Sequence, residues 1–187
     1  MRGCISLLPL LEGVLDAVNV PVLGAGGIGT ARAMAAILAA GADGVRVGTR
    51  FVAATESAAH PAYKEALLRA QPEDTIVTEA YSTNWPNAPH RVLRGCIEAA
   101  QALTDDLVGE TVIEGTTLPL RRFTTPPPTR WSTGKIEAMP HYAGQSVGAV
   151  QKIQPAADIV RELAEGAERL LRAKPGGRFQ SGARGVV

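Results

Sequence analysis

Val20-Pro21-Val22-Leu23-Gly24-Ala25-Gly26-Gly27-Ile28-Gly29-Thr30 is the stretch on which the fold of this chain turns. Its first four residues are wholly apolar, which suits a parallel strand covered on both faces. A glycine-rich turn follows at Gly24, Gly26 and Gly27, and Thr30 stands where a helix N-cap belongs. Met34, Ile37 and Leu38 then mark the inward stripe of a helix that Gly41 stops. A second short strand, Gly44-Val45-Arg46-Val47-Gly48, again runs into glycine, with Thr49 and Arg50 behind it. Upstream, Leu7, Leu8, Leu11, Val14, Leu15 and Val18 recur at helical spacing and predict a helix over residues 6–18. Helix, strand, helix, strand in that order predicts βαβ units on a parallel sheet, an α/β class.

Past Phe51 the rhythm changes. Pro61 is expected to open an amphipathic helix to about Ala70, and Thr75–Thr78 reads as a strand. Pro89 is read as opening another helix, with Val92, Leu93, Cys96, Ile97 and Leu103 inward. A strand or hairpin is expected at Thr111–Leu120, then a loop holding Pro126, Pro127 and Pro128. Pro155 opens the last helix, in which Ile159, Val160, Leu163, Ala167, Leu170 and Leu171 share one face. From Lys174 onward Gly, Arg and Gln dominate, the composition of a disordered tail.

With 19 Lys+Arg against 18 Asp+Glu, the net charge of +1 gives no reason to expect nucleic acid or an anionic membrane as partner. No window holds about 18 uninterrupted apolar residues, so no membrane span is expected. The N-terminal apolar run is broken by Pro9 and Glu12 and does not read as a signal peptide. Cys4 and Cys96 stand apart without metal-type spacing, as in a reduced cytoplasmic protein.

The residue types that carry chemistry sit at the two strand ends. A phosphate needs several backbone N–H donors aimed inward, and glycine removes the side chains that would block its approach. Gly26-Gly27 and Gly48-Thr49 lie about 20 residues apart, each directly after a strand, as phosphate loops do after the last two strands of a (β/α)8 barrel. One such turn alone would read as a tight βα connection; two in tandem, with the Thr49 hydroxyl, favour phosphate. A dinucleotide site fits less well, because Asp43 precedes its strand instead of ending it. Arg50 is a candidate for phosphate or for a structural salt bridge, and His60 for a helix cap. His90 and His141 lack a ligand cluster, so no metal is expected. Ser57 and Ser146 lack a nucleophile-elbow setting, and Trp85 and Trp131 read as packing anchors.

These motifs carry a resemblance. Pro21–Ile28 resembles the "PVIAAGGI" strand of the nitronate monooxygenase family, formerly the 2-nitropropane dioxygenases, and Gly41–Phe51 is similar to that family's next strand. Ala54-Thr55-Glu56-Ser57, Ala59–Lys64 and the segment Tyr142-Ala143-Gly144-Gln145-Ser146-Val147-Gly148 continue the match. The resemblance implies the C-terminal portion of a (β/α)8 TIM barrel with an added α+β segment. Residues 1–60 would supply the last two βα units, 61–150 an accessory segment, 151–173 a helix packed back on the barrel, and 174–187 a tail. It implies FMN as cofactor, with Gly26, Gly27, Gly48 and Thr49 on its phosphate and Gln145 and Ser146 close by. It also implies a small-molecule substrate, an alkyl nitronate, which flavin and molecular oxygen convert to a carbonyl compound and nitrite. The family's Gly-Gly-His-x-Gly motif aligns so that Arg2-Gly3 takes the last two places and Met1 the histidine's. No catalytic residue is therefore assigned, and activity is expected to be impaired. With two barrel strands in view, exposed sheet edges and an apolar sheet face are also expected. An inactive FMN-phosphate-binding fragment is one alternative. The other is an enzyme like the flavin-dependent enoyl-acyl-carrier-protein reductases, which share the glycine motifs and use a nicotinamide cofactor.

Overall fold

The computed structural model describes residues 5–83 and 85–173. Met1, Cys4 and the expected tail 174–187 lie outside the described residues.

The chain begins with α1 (Leu7–Ala17), β1 (Leu23–Ala25), α2 (Ala31–Ala39) and β2 (Gly44–Arg46). β1 and β2 pair in parallel, with Leu23 opposite Gly44 and Ala25 opposite Arg46. Thr30 caps α2 as expected, its hydroxyl accepting from the Ala33 N–H at 3.1 Å. Gly41 ends the helix at φ 103°, a left-handed value that a side chain disfavours. Leu11 of α1, Ile28, Ile37 of α2 and Ala42 form a buried cluster that Val45 and Val47 join. Gly24 allows this packing, since a Cβ there would lie 2.5 Å from Ile37 Cγ2.

Two expectations for this sheet competed. β1 starts at Leu23, later than the Val20–Leu23 run, and it is not covered on both faces: Val20 is 65% and Leu23 63% exposed. Strand alternation explains it. Gly24 turns toward α2, so Leu23 turns away from the helices and stays exposed, while Ala25 on the same face is half-buried beside Gly144 and Ser146.

A short helix α3 (Thr49–Val52) follows β2, then α4 (Pro61–Arg69), opened by Pro61 and capped by His60, whose Nδ1 accepts from the Ala62 N–H at 3.1 Å. β3 (Thr75–Thr78) pairs antiparallel with β4 (His90–Leu93), and α5 (Arg94–Ala102) begins only after Leu93. The helix expected from Pro89 is thus a strand for its first turn. Val92 and Leu93 are buried all the same, by pairing with Ile76 and Thr75.

The expected hairpin is β5 (Leu107–Ile113) with β6 (Thr116–Arg121), and β7 (Ser132–Gly134) adds to the other edge of β5. Its turn residues Glu114 and Gly115 take φ 50° and 78°, the twist of a two-residue hairpin loop. Trp85 and Trp131 are 61% and 54% exposed, so they do not anchor packing. The last helix, α6 (Ala156–Arg172), buries Ile159 and Leu163 against Met34, Val47 and Phe51. Gly166 brings it onto the start of α2, where a Cβ would meet Ala31 Cβ at 2.5 Å. No described helix is long and apolar enough to cross a membrane.

Candidate functional site

The two glycine turns open onto one cleft of about 290 Å³ at the C-terminal ends of β1 and β2. Gly26 and Gly27 stand at φ 111° and 70°, so the first turn depends on residues without a Cβ. Gly29 has a different task. A Cβ there would sit 2.9 Å from both Ser146 Cβ and Ala149 Cβ, so its absence lets the 3₁₀ turn Gln145–Ala149 close against the loop. Gly48 caps α3 and accepts from the N–H groups of Phe51 and Val52 at 2.8 and 3.2 Å. The N–H groups of Gly27 and Gly48 donate to no other backbone group among the described residues.

The third wall arrives from far along the chain. Leu93 N–H donates to His141 O at 2.9 Å and Ala143 N–H to Arg91 O at 3.1 Å, so β4 guides residues 141–143 toward the cleft. Gly144 N–H then donates to Thr49 Oγ1 at 3.0 Å. With that lone pair used, the Thr49 hydroxyl keeps its proton for another acceptor. Gly144 and Ser146 both line the cleft; Gln145 is exposed and does not. Of the residues singled out from sequence, Gly26, Gly27, Gly48, Thr49 and Ser146 are brought together here. Gly144 and Arg46 also line the cleft, and sequence reasoning passed over both. The signal for Arg46 was present, a charged residue between two strand valines.

Arg50 resolves as the structural salt bridge. It is 8% exposed; Nη2 donates to Glu162 Oε2 at 2.9 Å and Nη1 donates to the Ala149 carbonyl. Gln154 Nε2 shares Glu162 Oε2 at 3.2 Å. The residue after Thr49 therefore clamps both α6 and the end of the turn that carries Ser146.

A larger cleft, about 490 Å³, lies elsewhere, among Arg69, Arg94, Cys96, Glu137 and His141. Burial lowers the His141 pKa to about 4 and raises that of Cys96, so both groups are neutral there near pH 7. The His141 ring stacks on Tyr63 at 4.7 Å. Volume alone does not make this the site: its acidic and basic groups are mixed, whereas the smaller cleft gathers glycines, two hydroxyls and one cation. His90 donates to or accepts from no carboxylate, its Nδ1 lying 2.8 Å from the Ala88 carbonyl, and no metal-type cluster occurs among the described residues.

Known proteins share this fold. FabK from Thermotoga maritima superposes with a TM-score of 0.63 at 29% identity, over 90% of this chain and 51% of that one. The nitroalkane oxidase of Streptomyces ansochromogenes gives 0.61 at 28% identity, over 88% and 44%. A probable nitronate monooxygenase of Staphylococcus aureus (strain JH9) is 39% identical over 82 residues, 44% of this chain and 22% of that protein. The chain thus matches about half the length of these structures and less of the curated relatives. Its fold is the C-terminal portion of a (β/α)8 barrel with an added α+β segment. The nitronate monooxygenase family model matches residues 2–166, and the chain belongs to that family of flavin-dependent oxidoreductases.

Proposed function

We propose that the glycine cleft holds the phosphate of FMN and that the chain serves the oxidation of alkyl nitronates to a carbonyl compound and nitrite, with molecular oxygen as co-substrate. The observation that carries the reading is convergence. Two strand-end turns, Gly26-Gly27 and Gly48-Thr49, meet Gly144 and Ser146 around one cleft, although Thr49 and Gly144 are 95 positions apart. The residues fit a phosphate: N–H groups of Gly27 and Gly48 with no backbone partner among the described residues, open space where those glycines lack a side chain, and a hydroxyl whose proton is available. In this reading Gly27 and Gly48 donate through their N–H groups, Thr49 and Ser146 donate through their hydroxyls, and Gly144 fixes the Thr49 rotamer. Gln145, exposed at the rim, would stand nearer the rest of the cofactor. FMN, when bound, supplies the redox chemistry of nitronate oxidation. Within the same reading, residues 1–60 form the phosphate-holding βα units, 61–150 an accessory segment, and 151–173 the helix that braces them.

The likeness to FabK over 90% of the chain, with the glycine motifs shared by enoyl reductases, favours a second reading: reduction of an enoyl thioester by a nicotinamide cofactor. A third outcome is FMN binding without turnover. The test is equilibrium titration with FMN, followed by assays for nitrite release from ethylnitronate and for NADH oxidation with crotonyl thioester. Saturable FMN binding with nitrite release supports the first reading. NADH oxidation without nitrite moves the assignment to the second. Absence of FMN binding removes the phosphate reading itself.

A further inference from the structure

Among the described residues that line the glycine cleft, Arg46 alone carries a charged side chain. Its place in the strand decides which way it faces. Val45 and Val47 pack with Leu11, Ile28 and Ile37 on the helix side of the sheet, so Arg46 between them projects from the opposite face. Ala25, its register partner on β1, lines the same cleft. Arg46 is exposed, and among the described residues it makes no ion pair or side-chain hydrogen bond. A parallel strand ordinarily runs apolar, and here Gly44-Val45 and Val47 follow that rule while position 46 breaks it. Among the described residues no acidic side chain lines the cleft to answer the guanidinium, which leaves its charge to solvent or to a ligand.

We propose that Arg46 is the counter-charge of the cleft and the residue that makes it select a phosphate monoester dianion, discriminating FMN from its dephosphorylated form. The proposal rests on the reading that the cleft holds a phosphate. Backbone N–H groups and hydroxyls supply direction but no formal charge; a guanidinium supplies both, and its fork matches two phosphate oxygens. Glycine loops position the group, and Arg46 weighs its charge. A dephosphorylated flavin keeps every contact except this one and those of the loops.

The test is fluorescence titration of the full chain with FMN and with riboflavin, for wild type, Arg46→Gln and Arg46→Lys. Circular dichroism and a melting curve for each variant verify folding. Arg46→Gln is expected to raise the Kd for FMN roughly ten-fold and to leave that for riboflavin unchanged. Arg46→Lys, which keeps the charge without the fork, is expected to fall between the two. Raising salt from about 50 to about 500 mM is expected to weaken FMN binding more in wild type than in Arg46→Gln. If Arg46→Gln leaves the FMN affinity unchanged, or weakens FMN and riboflavin alike, the role of Arg46 is overturned while the phosphate reading stands. If the wild type binds riboflavin as tightly as FMN, or binds neither, the phosphate reading falls and the proposal with it.

Discussion

Replacing Arg50 by Met removes a guanidinium and keeps most of its apolar stem, so the consequences trace to two hydrogen-bond acceptors. The first is the Ala149 carbonyl, at the end of the turn that carries Ser146. The second is Glu162 Oε2, at 2.9 Å. A hydrogen bond from a charged donor contributes about 1.5–3 kcal/mol when its partner is left buried and unpaired. Arg50 is 8% exposed but Ala149 only half-buried, so the carbonyl contact takes the lower half of that range, about 2 kcal/mol. Glu162 differs: its side chain is 48% exposed and Gln154 Nε2 remains within 3.2 Å, so water and the amide take over much of the lost pairing. That half is discounted to about 1 kcal/mol. The sum is about 3 kcal/mol, which for a domain of this size lowers the melting temperature by about 6–12 °C. Urea unfolding followed by circular dichroism reads the change directly. Arg50→Lys, able to reach one acceptor and not both, is expected to lose about half as much. A double-mutant cycle with Glu162→Gln is expected to show a coupling of about 1 kcal/mol. Stability of Arg50→Met within about 0.5 kcal/mol of wild type would refute the clamp. A full loss with zero coupling would confine it to the Ala149 carbonyl.

Three further outcomes follow from single features. Gly27→Ala places a side chain at φ 70° in open space, so its cost is conformational, about 1 kcal/mol by urea unfolding; a loss well beyond that would point to a contact the structure does not contain. His141 is held neutral by burial, with its pKa lowered from 6.5 to about 4. The unfolded chain therefore takes up a proton that the folded one does not, and stability falls as pH drops from about 6.5 to about 4, by at most about 3 kcal/mol. His141→Phe, which preserves a ring to stack on Tyr63, is expected to flatten the wild-type pH dependence across that window, and parallel profiles for the two proteins would contradict the assignment. Cys96 is 2% exposed, its thiol pKa raised by burial. In a Cys4→Ser background it is expected to react with an aromatic disulfide reagent only at the rate of unfolding, whereas prompt labelling at pH 8 would show that the thiol is accessible.

The features legible in the sequence were those that neighbouring residues determine. Thr30 caps because its hydroxyl meets an N–H three residues on, and Pro61 opens a helix because its fixed φ and missing N–H suit a first turn. The residues from Pro89 depart from their helical expectation for the opposite reason. Val92, Leu93 and Cys96 have helical spacing, yet Val92 and Leu93 are buried by pairing with Thr75 and Ile76, and a short apolar run carries no record of which partner it will meet. The strand matters for the site, because β4 guides residues 141–143 to the cleft. The AGQ-S segment shows the same division. Its resemblance drew attention to Gln145 and Ser146, while the backbone of Gly144 makes the contact to Thr49 and Gln145 stays outside.

The glycines are likewise separable from the function assigned to them. Gly26 and Gly27 are required by their positive φ whether or not anything binds, and Gly24 and Gly29 are required by Ile37, Ser146 and Ala149. A glycine-rich turn is thus over-explained by backbone geometry, and alone it cannot distinguish a tight βα connection from a phosphate loop. What the turn's geometry does not require is a hydroxyl from Thr49 fixed by a residue 95 positions away, or an arginine on the cleft side of β2 that has no ion pair among the described residues. Neither shortens a loop or fills a core. The Thr49 oxygen holds Gly144 while its proton stays available, and Arg46 sets a charge at the cleft that packing does not use, so phosphate is supported more by Thr49 and Arg46 than by the glycines that first suggested it.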